Sequence, residues 1–262
     1  MKYMKSPKTD IAVLICIPIL ATLVTFIFRT NLFISIILFF AIPSAYLASR
    51  NPGIFKKSFT FAFLLSIPLS LCIDALAAVN GSWVVPTSVF PFKFFGVATV
   101  EVYLYGLLWV LYAVLFYEHF FDKGRKGDRI SPHIKSLRYL SAALVLYVCM
   151  AFVIDRDLLY IPFFYLVSGI CLVIIPLALF LYRYPVFIRR YIILGIYFFF
   201  VLFLFEIAAI YAGQWIFPGP DFIGFINLFG FQFPAEELII WMVAATAALL
   251  SYYEFFADDR LA

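Results

Sequence analysis

The sequence predicts an all-α integral membrane fold, with eight transmembrane helices arranged as two parallel four-helix repeats. Three observations predict it. Hydrophobic residues make up 66% of the chain, whereas a soluble domain is about 45–50% apolar; mean hydropathy is +1.05. Apolar runs recur near the length of about 20 residues that a helix needs to cross the hydrocarbon. Marker residues of the first half recur in the same order in the second.

The runs are 11–28, 32–48, 59–79, 98–121, 139–154, 158–181, 191–212 and 234–256, the second and fifth being short. The first follows Met1-Lys2-Tyr3-Met4-Lys5-Ser6-Pro7-Lys8, which resembles a signal-peptide start. Its spanning length and the lack of a small-x-small cleavage site favour a retained first helix. Basic residues orient the set. With the N-terminus in the cytoplasm, the cytoplasmic segments carry 16 Lys and Arg and the outer segments only Arg29, Lys93 and Arg156. That bias follows the positive-inside rule and places both termini on the cytoplasmic side of the cell membrane. The net charge of +4 sits in short loops, so no nucleic-acid partner is read.

Spacing reveals internal repetition. Arg50-Asn51-Pro52 with Lys56-Lys57 matches Arg183-Tyr184-Pro185 with Arg189-Arg190 at one constant offset, which Pro43 and Pro176 keep. Asp74 stands nine residues before Trp83, as Glu206 does before Trp215, and Gly81 and Gly213 fall two before those Trp. Glu101 and Glu118 are seventeen apart, as are Glu237 and Glu254. Tyr105 and Trp241 each lie four after the preceding acid. The duplication divides the chain into a first four-helix repeat (1–121), a basic cytoplasmic linker (122–138) and a second repeat (139–262). An even number of spans per repeat gives both the same sense, around a pseudo-two-fold axis along the membrane normal.

The third loops, 80–97 and 213–233, hold Trp, Pro and Gly with almost no charge. Trp83 and Trp215 fit interfacial anchors or a partly inserted lid closing a cavity between the repeats.

Acids set against depth converge on one level. Asp74 and Glu206 lie about one turn below the outer ends of their runs, and Glu101, Glu236 and Glu237 lie in first turns that begin on the same side. Pro234 suits a helix start, where its missing N–H costs nothing. Successive residues differ by about 100° around a helix. One of Glu236 and Glu237 therefore points into a cavity, and the other braces a neighbouring helix or meets the headgroups. Intramembrane ionisable residues are functional by default, and a carboxylic acid kept protonated in an apolar pocket serves as a general acid. For Asp74 and Glu206 the structural alternative is a buried hydrogen bond between helices. Tyr105 and Trp241 lie one turn below Glu101 and Glu237, and Tyr112 lies two turns further. Their rings suit chemistry passing through a carbocation, with ordinary packing as the alternative. Glu118 and Glu254 read as helix ends at the cytoplasmic face, Asp122, Asp128, Asp258 and Asp259 as solvated, and Asp155 and Asp157 as surface charges.

Cys16, Cys72, Cys149 and Cys171 lie in apolar runs without paired or metal-type spacing and read as packing residues. His119 and His133 are isolated, so no metal site is read. No phosphate loop or dinucleotide fingerprint appears, and no cofactor is expected.

Pro234-Ala235-Glu236-Glu237 resembles the Pro-x-Glu-Glu motif of the membrane lycopene cyclase family, the small heterodimeric or fused type of bacteria, archaea and fungi. Glu206, the stretch Gly213-Gln214-Trp215-Ile216-Phe217, the loop glycines Gly224 and Gly230, and Tyr253-Glu254 fit the same pattern. The similarity is best over 191–256 and extends more weakly to 59–121. It implies paired copies of one domain and a cofactor-independent, redox-neutral isomerisation of a carotenoid in the lipid bilayer. An acid protonates the terminal double bond of an acyclic polyene, the next double bond attacks the tertiary cation, and a base removes a proton to leave an ionone ring. Glu236 and Glu237 fall on the motif. In the first half, Ala98-Thr99-Val100-Glu101 matches only at Glu101. That departure leaves open one active half beside a structural one, a different polyene, or no cyclase activity.

The candidate catalytic residues are Glu237, Glu236, Glu101, Glu206 and Asp74; the candidate substrate-binding residues are Trp241, Tyr105, Trp215 and Trp83. Two other functions fit the same acids. One is a proton-coupled transporter, a class in which parallel repeats and intramembrane carboxylates are common. The other is a non-catalytic carotenoid-binding protein.

Overall fold

The computed structural model describes residues 7–94, 96–122 and 129–258. Of the charges read above, Lys2, Lys5, Lys123, Arg125, Lys126, Asp128, Asp259 and Arg260 lie outside the described residues, as does the stretch 123–128 of the basic linker.

Among the described residues, seven helices are long and apolar enough to cross a membrane. They are α1 (Lys8–Phe28), α2 (Leu32–Arg50), α3 (Pro52–Asn80), α4 (Val100–Asp122), α5 (Ile134–Ile154), α6 (Phe164–Arg183) and α7 (Pro185–Tyr211). The protein is an all-α integral membrane protein. The last apolar run, expected as one helix, is broken: Glu237–Met242 forms a π-helical turn and α8 (Ala245–Phe256) follows it. Similar π turns interrupt α2 at Ile37–Ala41 and α6 at Ile170–Ile174, shortly before Pro43 and Pro176. Proline lacks the N–H that would bond back and crowds the preceding carbonyl; a wider turn accommodates both.

The helices interlock. α3 packs along α4 and α5, α1 along α7, and α8 against α4, α6 and α7. Phe39, Phe40, Phe198 and Phe205 are buried at the centre, with Phe40 edge-on to Phe205 at 4.9 Å.

One end of the bundle is capped. α3 gives way to Gly81 and α7 leads to Gly213, at φ of +64° and +65°, a left-handed conformation that glycine adopts without strain. The loops then meet over the bundle. Val84 and Ile216 form an antiparallel bridge with two 3.0 Å hydrogen bonds, and Trp83 meets Trp215 edge to face at 6.1 Å. A side chain at Gly219 would collide with the Gly81 carbonyl. Each loop ends in a short antiparallel hairpin, β1 (Lys93–Phe94) with β2 (Ala98–Thr99) and β3 (Phe225–Leu228) with β4 (Phe231–Pro234). These hairpins lead into α4 and into the π turn.

The opposite end is locked by buried charge. Tyr117 donates to Glu254 and Tyr253 donates to Glu118. The Lys57 ammonium lies 2.7 Å from Glu118 and 3.9 Å from Asp258. Lys57, Glu118, Asp122, Glu254 and Asp258 are all buried. The expectation of solvated charges here is therefore corrected for Asp122 and Asp258, while Glu118 and Glu254 lie near their helix ends but are buried. Lys57 from α3 reaches the ends of α4 and α8, and a buried carboxylate needs such a partner.

Candidate active site

Beneath the cap lies a cavity of about 280 Å³ with mainly apolar walls, near the lower edge of the size range of small-molecule pockets. Asp74, Glu206 and Glu237 line it at the capped end, among Trp83, Trp215, Trp241, Tyr105 and Tyr165. No Lys, Arg or His lines it among the described residues.

Each acid is placed by a different element. α3 carries Asp74 in its last two turns, buried, with one carboxyl oxygen that has no hydrogen-bond partner. Ser66 and Ser70 lie on the same cavity wall, and Gly106 lets α4 approach them, since a side chain there would strike Ser70. α7 carries Glu206, whose Oε1 accepts the Trp215 indole N–H at 3.0 Å, tying the cap to the acid. Glu237 opens the π turn and accepts a hydrogen bond from the Tyr165 hydroxyl of α6. Tyr165 stacks on Trp241 at 5.4 Å. Tyr105 stacks on Phe205 at 5.3 Å and meets Trp215 at 6.0 Å.

The five acids expected at one level separate into two groups, because Glu101 and Glu236 do not line the cavity. Glu101 accepts the Val89 N–H at 2.7 Å and the Ser88 hydroxyl at 2.8–2.9 Å. Glu236 accepts the Ile223 N–H at 2.7 Å. Glu101 and Glu236 thus stand apart from the acids that line the cavity. A loop folded over the bundle brings backbone N–H groups into an apolar setting, where each needs an acceptor, and these two carboxylates supply it. Tyr112 also turns away, its hydroxyl bonded to that of Tyr197. The substrate-binding candidates Trp241, Tyr105, Trp215 and Trp83 all border the cavity.

Tyr165 is the residue that sequence reasoning missed. It lies near the capped end of α6, at the depth of the acids. Applying the depth argument to phenols as well as carboxyls picks it out.

The arrangement suits proton transfer to carbon. A protonated carboxyl can donate and a neighbouring carboxylate can accept. Ring faces attract the positive charge that develops between them. At the far end, oxygens of Glu118, Asp122 and Asp258 lie within 4.8 Å of one another, a spacing like that of metal ligands; there the Lys57 ammonium supplies the positive charge. No protein-family model, curated protein or solved structure matches this chain. Its function is therefore argued from the site.

Proposed function

We propose that the protein is a lycopene cyclase-like isomerase of carotenoid biosynthesis, which starts the ring closure of an acyclic polyene by protonating it inside the cell membrane. The observation that carries this reading is Glu237, held by the Tyr165 hydroxyl at the edge of an aromatic-walled cavity that Glu206 and Asp74 share. Glu237 is the proposed acid. Its proton adds to the terminal double bond and leaves a tertiary cation. The π electrons of the next double bond close the six-membered ring and carry the charge onto it. A ring proton then leaves to a carboxylate, Glu206 or Asp74, and its bonding pair becomes the ring double bond. One proton enters for each that leaves, and nothing is oxidised or reduced. Desolvated ring faces contribute about 2 kcal/mol to holding such a cation.

The proposed architecture is eight spans in two repeats, with both termini cytoplasmic. Several pairs related by near-constant spacing meet each other, as they would around a two-fold axis: Trp83 with Trp215, Val84 with Ile216, and the reciprocal Tyr117–Glu254 and Tyr253–Glu118 bonds. α1 on α7 and α5 on α3 are likewise exchanged packings of first on third helices. In this reading Glu101 corresponds to Glu236, 135 residues on, each holding a loop N–H. The spacing is 136 at Glu118 and Glu254, so one residue is added between, where the π turn lies. A π turn holds more residues than an α turn. Val102, which lines the cavity, takes the place of Glu237 in the first half, and the chemistry belongs to one half.

Expression in a lycopene-accumulating bacterium tests the function. Ring-bearing carotenoids are expected; unchanged lycopene, with no other carotenoid or isoprenoid altered, would end the proposal. A proton-coupled transporter is the second reading, favoured by the second buried acid cluster around Lys57; uptake that follows a proton gradient would support it.

A further inference from the structure

Resting on the reading above, we propose that the polyene enters sideways from the bilayer, between α5 and the α6–α8 pair, into a blind slot that admits one end group at a time. The cavity is long as well as small. Its lining along the last segment runs from Glu237 to Phe256, a separation of about 28 Å at 1.5 Å per residue. A volume of about 280 Å³ stretched over that length makes a narrow slot.

Both ends of the slot are shut. At the acid end, the Val84–Ile216 bridge and the close approach of Gly219 to Gly81 seal the cap. At the other end, the Lys57–Glu118 pair and the Tyr253 hydroxyl lock the bundle. The side between α5 and α8 differs. α5 is fastened to α3, with Ser141 donating to the Leu64 carbonyl at 3.2 Å. Leu140 and Leu144 of α5 line the cavity yet are 62% and 36% exposed, so the same helix face borders the slot and the outside. The opposite lip is Tyr252, whose hydroxyl donates to the Leu172 carbonyl at 2.8 Å and clips α8 to α6. These lips are apolar, and lipid lies outside them. A linear hydrocarbon can pass without desolvating a charge, and its end must then advance some 20 Å, by the same helical rise, to reach Glu237. The acids lie at the inner end of the slot, so the other end group of the polyene stays in the bilayer while the first reacts. Closing a second ring therefore requires release and re-entry.

The test uses the full-length Glu237→Gln protein, purified in detergent from lycopene-accumulating cells, with lycopene per protein measured by absorbance. It is expected to retain lycopene. Adding Leu144→Trp or Leu140→Trp is expected to lower retention roughly tenfold or more, equivalent to about 1.4 kcal/mol or more of binding. Leu179→Trp, on an exposed face of α6, is expected to change nothing. Full retention in both monodisperse α5 variants would overturn the side entrance while leaving the reading of the site intact. No retention in Glu237→Gln, with only lycopene in wild-type cells, would overturn both. Should neither Trp variant stay monodisperse, Leu144→Ala decides: faster lycopene loading supports the entrance and an unchanged rate overturns it. In a time course with the wild type, free monocyclic pigment is expected before any bicyclic pigment; bicyclic product without it would overturn one-end entry.

Discussion

Two groups of acids are buried at opposite ends of the same bundle, and their company differs. Around Lys57, Glu118 accepts from an ammonium and a phenol, and Glu254 accepts from Tyr117. At the capped end, Asp74, Glu206 and Glu237 border a cavity with no Lys, Arg or His in its wall among the described residues. Burial alone therefore does not mark a reactive carboxyl. A carboxylate matched to a cation braces helices, whereas a carboxyl lining an apolar cavity is placed, in the proposed mechanism, to give a proton to carbon. Glu101 and Glu236 are a third case, spent on loop backbone.

Substitutions can break or sharpen this contrast. Glu237→Gln is expected to lower turnover about 10²–10⁴-fold, the usual worth of a general acid. Its thermal unfolding should barely move, because the amide oxygen still accepts from Tyr165. Lys57→Met is the mirror image. Leaving Glu118 buried without its ammonium is expected to cost about 3–5 kcal/mol of stability, read as earlier unfolding in detergent, while turnover per folded molecule is kept. Loss of turnover in a folded Lys57→Met protein would mean that the two ends do not act separately.

Tyr165→Phe removes the hydroxyl that holds Glu237. A hydrogen bond to a charged group is worth about 1.5–3 kcal/mol, so a drop of about 10- to 100-fold in turnover is expected. Glu101→Ala should behave as a loop variant. An unpaired Val89 N–H is expected to cost about 1–3 kcal/mol of stability, with turnover of the folded protein nearly unchanged. A large loss of turnover there would return Glu101 to the chemistry.

Hydropathy made α1 to α7 legible, because each carries a long apolar run bounded by charged loops or by loops rich in Pro and Gly. The break in the last run was not legible: the Glu237–Met242 turn is as apolar as a regular helix, and a π turn leaves no mark in hydropathy. Under the proposed duplication, that turn shifts the partner of Glu101 by one, from Glu237 to Glu236, because counting back from Glu254 crosses the added residue. Depth along a helix could be read from the sequence, so Asp74, Glu206 and Glu237 were found. Direction around the helix could not, so Glu101 and Glu236 were grouped with them. The burial of Glu118 and Asp258 depends on Lys57 from another helix, and Tyr165 depends on where α6 meets the π turn. Both are facts of packing.

The most direct test of proton transfer from Glu237 to carbon uses purified protein in nanodiscs, given lycopene in deuterated water, with the pigment weighed by mass spectrometry. Each ring formed is expected to carry one deuterium, and Glu237→Gln is expected to form almost no rings. Folded wild-type protein that leaves lycopene intact, or that makes rings without taking up deuterium, would contradict the proposed chemistry.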